Sequence, residues 1–107
     1  MASAKASSGG RAARLRGGLN IEEKGRVKEI VARNKARGVS IEAIRERRNQ
    51  IRHSLRDAQR LVTEYRREVR LGRRGAAQAL ENALGDMPYF KSEMRISQAV
   101  LRASGGK

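Results

Sequence analysis

The amino-acid sequence predicts an all-α protein: an extended helical hairpin with one long heptad-patterned helix, two short C-terminal helices and a disordered basic N-terminal arm. Over residues 41–69, seam positions recur in alternating steps of three and four, the spacing of a helix that packs on another helix. Capping residues and glycines bracket the periodic segments. No stretch of useful length shows the alternation expected of a strand.

The composition indicates a small basic protein that depends on a partner for part of its order. The chain has 107 residues, a formal net charge of +14, two tyrosines, one phenylalanine and no tryptophan. A chain this short and this poor in large apolar groups buries little surface. A polyanion would relieve its self-repulsion. Nucleic acid is therefore the favoured partner, ahead of an anionic membrane surface and an acidic protein.

Other features of the composition limit the kinds of site and location. The sequence contains no cysteine, which excludes disulfides, thiolate metal sites and cysteine nucleophiles. No apolar run approaches the roughly 20 residues that span a bilayer, and no secretory signal pattern is seen. An intracellular location, in the cytoplasm or a mitochondrion, is favoured.

Residues 1–19 are predicted to form the disordered basic arm. The segment is rich in Ala, Ser and Gly and contains no acidic residue. A tail that follows phosphates is the favoured interpretation, with an inert tail and an organelle-targeting segment as alternatives. Its basic residues are Lys5, Arg11, Arg14 and Arg16.

Residues 20–104 are predicted to form one small helical domain, whose first helix covers about 21–37. Asn20 is a favourable N-cap, and Glu23 three residues later completes a capping box. Gly38 supplies the left-handed stop after the last turn.

The second helix is predicted from about residue 41 to 71, with Ser40 as its N-cap. Six residues of its heptad seam are predicted to pack against protein. These residues are Ile44, Ile51, Leu55, Val62, Tyr65 and Val69.

Three other residues, Ile41, Arg48 and Ala58, complete the seam. Arg48 and Ala58 are poor choices for a symmetric two-stranded zipper, although a homodimer remains open. Antiparallel pairing with residues 21–37, or docking on another chain, is favoured instead. Because the first helix spans only ~25 Å and the second ~48 Å, half of the seam is predicted to need a further partner. Either another chain or the last helix can cover it.

Gly72 and Gly75 are predicted to end the long helix. A short helix over 76–84, with Leu84 on its apolar side, is followed by a turn in which Pro88 begins a new helix over 89–103. On this last helix, one side carries Phe90, Met94 and Leu101, and another carries Lys91, Arg95 and Arg102. Residues 105–107 are predicted to be a frayed tail.

An arginine stripe on the long helix is the main candidate for a binding site. At 100° per residue its members lie on an arc of roughly 80°, about 120° from the apolar seam and largely free of acids. Of the 25 basic residues in the chain, 19 are arginine, which forms forked contacts with phosphate. Plain solvation of a basic face is the alternative. The candidate nucleic-acid-binding residues on this helix and the following turn are Arg45, Arg52, Arg56, Arg60, Arg67, Arg70, Arg73 and Arg74.

No pattern indicates an enzyme, a metal site or a cofactor. His53 is the only histidine, and it is predicted to be an exposed bystander. The carboxylates are scattered among arginines, and the paired glycines lack the context of a phosphate-binding loop.

These observations favour a non-catalytic structural component of a ribonucleoprotein assembly, such as a ribosome or mitochondrial ribosome. In this hypothesis the arginine stripe and the arm bind RNA, and the heptad face binds protein subunits. The alternatives are a dimeric DNA-binding regulatory or packaging protein of phage or plasmid type, and a coiled-coil interaction subunit of a larger complex. Membrane binding ranks last, because the apolar face lacks the Trp and Phe that anchor interfacial helices.

Overall fold

The computed structural model describes residues 18–106, which fold into three α-helices. They are α1 (Ile21–Arg37), α2 (Ile41–Arg70) and α3 (Ala76–Ala103). Within the described residues no strand is present. The predicted all-α class is therefore confirmed, and the first two helices begin and end within one residue of the predicted bounds.

Local capping explains where α1 begins and ends. The Glu23 backbone N–H donates to Asn20 Oδ1 at 2.7 Å, and the Asn20 N–H donates to Glu23 Oε1 at 3.1 Å, which completes the predicted capping box. Gly38 ends the helix in the left-handed conformation, at φ 67°. That conformation is strained for residues with a Cβ.

The long helix α2 is continuous through Arg48 and Ala58. Its N-terminus is capped by Ser40, whose Oγ accepts from the Ala43 N–H at 3.1 Å. Its C-terminus leads into a turn in which Gly72 and Gly75 have positive φ. This turn reverses the chain, as the glycines predict.

The prediction of two short C-terminal helices is wrong, because α3 runs unbroken through Gly85 and Pro88. Proline and glycine disfavour a helix interior, proline by about 3 kcal/mol. Packing overrides this preference, because Met87 and Phe90 are half-buried and continue a heptad seam in phase with both halves of α3. That seam comprises Ala76, Leu80, Ala83, Met87, Phe90, Met94, Ser97, Leu101 and Ser104. Leu84, expected on the apolar side, lies outside it and is exposed.

Helix α3 packs along α2 on one side and against α1 on the other. The Arg48–Gln98 hydrogen bond fixes the register of the antiparallel α2–α3 pair. The expected pairing of residues 21–37 with the α2 seam is therefore wrong. Since α3 is nearly as long as α2, it covers the seam over most of its length, and the half expected to need a further partner is packed within the chain.

The buried core of the described residues is small. Its densest part lies where the three helices meet, and Val27, Ile30, Val31 and Ile41 pack around it. Near it, Gly106 donates to the Leu101 carbonyl at 2.8 Å, so the end of α3 is closed rather than frayed up to that residue. The buried apolar residues are Ile44, Ala58, Val62, Ala76, Ile96, Val100 and Leu101.

Candidate nucleic-acid interface

The structure places the arginine stripe of α2 on the outside of the helical hairpin. Arg45 and Arg52 are half-buried, while the stripe residues farther along the helix are exposed. Arg73 and Arg74 are exposed in the turn after α2. The predicted arm residues Lys5, Arg11, Arg14 and Arg16 lie outside the described residues. The exposed stripe residues on α2 are Arg56, Arg60, Arg67 and Arg70.

One hydrogen-bonded group shows which side of α3 borders this stripe. Arg48 occupies a seam position of α2. It donates from Nε to Asn49 Oδ1 at 3.1 Å and from Nη1 to Gln98 Oε1 at 3.0 Å. Asn49 falls within the arc of the arginine stripe, about 40° from Arg45. Gln98 therefore lies on the flank of α3 that faces the same way as the stripe.

Two cations of α3 extend the stripe across the hairpin. Lys91 lies seven residues before Gln98 and Arg102 four residues after it, so both share its side of the helix. Both are exposed. We call the combined surface the basic face. It consists of Arg45, Arg52, Arg56, Arg60, Arg67 and Arg70 of α2 with Lys91 and Arg102 of α3.

The acids of the chain leave the basic face uncompensated. Within residues 18–106 two ion pairs are present, Arg26–Glu93 at 3.0 Å and Arg95–Glu23 at 2.8 Å. Both join α1 to α3, and neither involves the basic face. Its positive charges are therefore available to an external anion.

The opposite flank of the hairpin has a different character. There a groove of about 500 Å³ runs between α2 and α3, lined by apolar side chains such as Leu61 and Phe90 and by the carboxylates Asp57 and Asp86. Asp57 of α2 and Asp86 of α3 thus lie on the flank opposite the basic face. The two flanks of the hairpin therefore differ in charge around this groove.

Arg48 is a functional candidate that sequence reasoning placed only in the seam. The residue is 9% exposed, yet both of its acceptors within the described residues are neutral amides. Burial lowers the pKa of the Arg48 guanidinium, and the positive charges of Arg52 and Arg45 lower it further. An arginine nonetheless stays protonated in proteins. A cation therefore lies at the edge of the core without a carboxylate partner among residues 18–106.

Glu23 is a buried charge of the opposite kind. It is 4% exposed, and its Oε2 accepts from Ser92 Oγ at 2.5 Å and from Arg95 Nη2 at 2.8 Å. Burial alone would raise the pKa of Glu23, but the hydrogen bonds from Ser92, Arg95 and the Asn20 backbone outweigh it and hold the pKa below its usual value. The residue was predicted only as a cap. It also joins the start of α1 to α3.

The residues predicted to pack against protein do so within the chain. Ile44 and Val62 are buried, Ile51, Leu55 and Tyr65 are half-buried, and Val69 is 39% exposed near the turn. Contact of another subunit with the buried members, Ile44 and Val62, would require displacement of α3. Their predicted role toward other subunits stays a prediction.

Other kinds of site find little support in the described part of the chain. His53 is exposed on α2, and no group of three His, Asp or Glu side chains there is arranged to hold a metal ion. None of the three helices is both long and apolar enough to cross a bilayer.

Comparisons of the chain with protein-family models, with characterised proteins and with solved structures found no significant match.

Proposed function

We propose that this protein is a non-catalytic, nucleic-acid-binding component of a ribonucleoprotein assembly such as a ribosome or mitochondrial ribosome. The basic face binds the phosphate backbone, and RNA is favoured over DNA. The observation that carries the proposal is the segregation of cations. The basic face has no ion pair with the acids of residues 18–106, whereas acids line the opposite groove.

Phosphate binding accounts for this segregation better than solubility does. A surface that serves only solubility intersperses both signs of charge, because a single-sign patch repels itself. Between Arg45 and Arg70 the stripe extends ~38 Å at 1.5 Å per residue. That is about the length of one turn of a DNA duplex, so one straight helix can present cations to several phosphates.

The basic face is suited to backbone contact rather than to base recognition. Tyr65 is half-buried in the hairpin, and Tyr89 and Phe90 pack edge to face on the far side of α3. A platform on which bases stack needs exposed aromatic side chains along the strand path. Phosphate contacts fix position but carry no sequence information.

RNA is preferred over DNA by analogy with small basic helical proteins whose folding is completed within ribonucleoprotein particles. The small core supports this preference, because a chain with few buried apolar groups gains more from a large partner. We do not propose the dimeric DNA-binding alternative, since the heptad seam on which it relied packs against α3.

A charge-matched pair of variants tests the proposal. The first replaces Arg52, Arg56, Arg60 and Arg67 on the basic face by Gln. The second replaces the exposed residues Lys24, Lys28, Lys35 and Arg37 of α1 by Gln. Binding to a labelled RNA hairpin and to the DNA duplex of the same sequence is measured by fluorescence anisotropy.

The two variants lose the same net charge, so they separate a localised interface from a general attraction. We expect the basic-face variant to lose at least tenfold more affinity than the α1 variant. Helicity measured by circular dichroism should stay unchanged in both, because Gln is a good helix former. Equal losses would contradict a localised interface, and an unmodified chain that binds neither nucleic acid would contradict the proposed function.

A further inference from the structure

We propose that Arg48, together with Arg45 and Arg52, forms a specific phosphate-binding site at the border between the basic face and the core. This inference rests on the proposed function and deepens it, because it identifies the point at which one backbone phosphate is bound most closely. The ligand class is a phosphate monoester or diester. The site depends on a residue that belongs to the packing seam rather than to the exposed stripe.

The charge of Arg48 has no counter-charge bonded to it among residues 18–106. Buried charges are normally paired with an opposite charge, since removal from water is otherwise costly. Arg48 is nine-tenths buried, yet it donates only to the amide oxygens of Asn49 and Gln98 within the described residues. These amides orient the guanidinium without neutralising it. An anion from outside the chain would complete the arrangement.

Arg48 also has N–H donors that no acceptor among residues 18–106 engages. A guanidinium has five N–H donors, and Arg48 uses one on Nε and one on Nη1. Within residues 18–106, no buried side-chain nitrogen or oxygen lacks a hydrogen bond. The Nη2 edge, for which no acceptor is present there, must therefore reach the surface. Nη2 presents two further N–H donors, each of which can bond a phosphate oxygen.

Two further cations lie near Arg48. Arg45 and Arg52 lie one turn to either side of Arg48, and both are half-buried. Burial lowers the pKa of the Arg48 guanidinium, and the positive charges of Arg52 and Arg45 lower it further. Three cations held close together repel one another in the free protein. A bound phosphate offsets this repulsion, because its negative charge attracts all three cations.

The test compares Arg48→Met with Arg60→Met, a control that removes an exposed arginine of the basic face. Thermal unfolding of the full chain is followed with and without pyrophosphate, against sodium chloride of equal ionic strength. Without phosphate, Arg48→Met should have a higher Tm than the unmodified chain, because an unbalanced buried charge is removed. Pyrophosphate should raise the Tm of the unmodified chain and of Arg60→Met, but not of Arg48→Met.

RNA affinity provides the second readout. We expect Arg48→Met to weaken RNA binding by about tenfold and Arg60→Met by about threefold or less. Arg48→Lys, which keeps the charge but loses the fork, should recover only part of the affinity. If Arg48→Met unfolds, Arg48→Lys carries the comparison alone, and a pyrophosphate shift equal to that of the unmodified chain would overturn the site.

These outcomes separate the site from the wider function. If pyrophosphate stabilises Arg48→Met and the unmodified chain equally, the site is wrong, whether or not RNA binds. If the four-residue variant loses RNA binding while Arg48→Met binds as well as Arg60→Met, the basic face stands and the Arg48 site falls. If the unmodified chain binds no nucleic acid but shows the Arg48-dependent pyrophosphate shift, the phosphate site stands and the proposed function falls.

Discussion

Among residues 18–106 the protein buries one anion and one cation, and the two have different surroundings. Glu23 at the start of α1 is satisfied by an arginine, a serine hydroxyl and a backbone N–H, all from described residues. Arg48 at the α2–α3 seam has two neutral amides and two arginine neighbours. The first arrangement joins helices. The second, at the edge of the basic face, leaves a positive charge that an external anion could neutralise.

The largest expected effect on stability comes from removal of Glu23, the buried charge that has an oppositely charged partner. Glu23→Ala breaks the capping box and leaves Arg95 and Ser92 without their acceptor, so we expect a loss of about 3 kcal/mol in the free energy of unfolding. Glu22→Ala, on the exposed side of the same turn, should cost only a few tenths. Urea unfolding followed by circular dichroism measures both. Similar losses in the two variants would show that Glu23 contributes no more to stability than an exposed glutamate does.

The pH dependence of stability gives a second way to test Glu23. Because the pKa of Glu23 in the folded protein lies below the usual value for a glutamate, the unfolded chain binds more protons in acid. The contribution of Glu23 is therefore fully present above that value and is lost as the pH falls through the folded pKa. Replacement by Gln should flatten this part of the profile of Tm against pH. An unchanged profile would contradict the interpretation of the hydrogen bonds.

A single substitution can give Arg48 an oppositely charged partner, as Glu23 already has in Arg95. Gln98→Glu places a carboxylate where the amide oxygen lies 3.0 Å from Arg48 Nη1. We expect it to stabilise the protein by about 1 kcal/mol and to weaken RNA binding, because the internal carboxylate competes with phosphate. Gln50→Glu, at an exposed position of α2 outside the arginine stripe, is the matched control. Stabilisation by both substitutions alike would point to net charge alone.

The smallest expected effect concerns the second ion pair between α1 and α3. Arg26 and Glu93 approach to 3.0 Å, but the Arg26 side chain is half exposed. Exposed pairs contribute about 0.2–1 kcal/mol, so Arg26→Ala should change the unfolding free energy by less than about 1 kcal/mol. High salt should remove most of that difference. A loss as large as that of Glu23→Ala would remove the distinction between buried and exposed pairs.

Local signals predicted the helix ends well, because caps act within a few residues. Asn20, Ser40 and Gly38 each have the predicted role. At Pro88 the local preference was misleading, since the cost of proline is outweighed by packing along the whole of α3. The signal that could have corrected it was the seam itself, whose steps of three and four stay in phase from Leu80 through Met87 to Met94.

The candidate site was predictable only where it lies on one helix. Periodicity was enough to align the arginines of α2, because a single helix fixes their relative directions. The addition of Lys91 and Arg102 required knowledge that α3 packs beside α2 with Gln98 against Arg48. The role of Glu23 was hidden for the same reason, since Ser92 and Arg95 lie far from it in the sequence.

The central claim, that the basic face binds backbone phosphates, is tested most directly by the salt dependence of RNA binding. About six phosphate contacts predict a slope near −4 for the logarithm of the association constant against that of salt concentration on single-stranded RNA. The variant with Gln at Arg52, Arg56, Arg60 and Arg67 should reduce the slope to about −1. A slope near −4 in that variant would contradict the account, because the released counterions would then belong to contacts elsewhere.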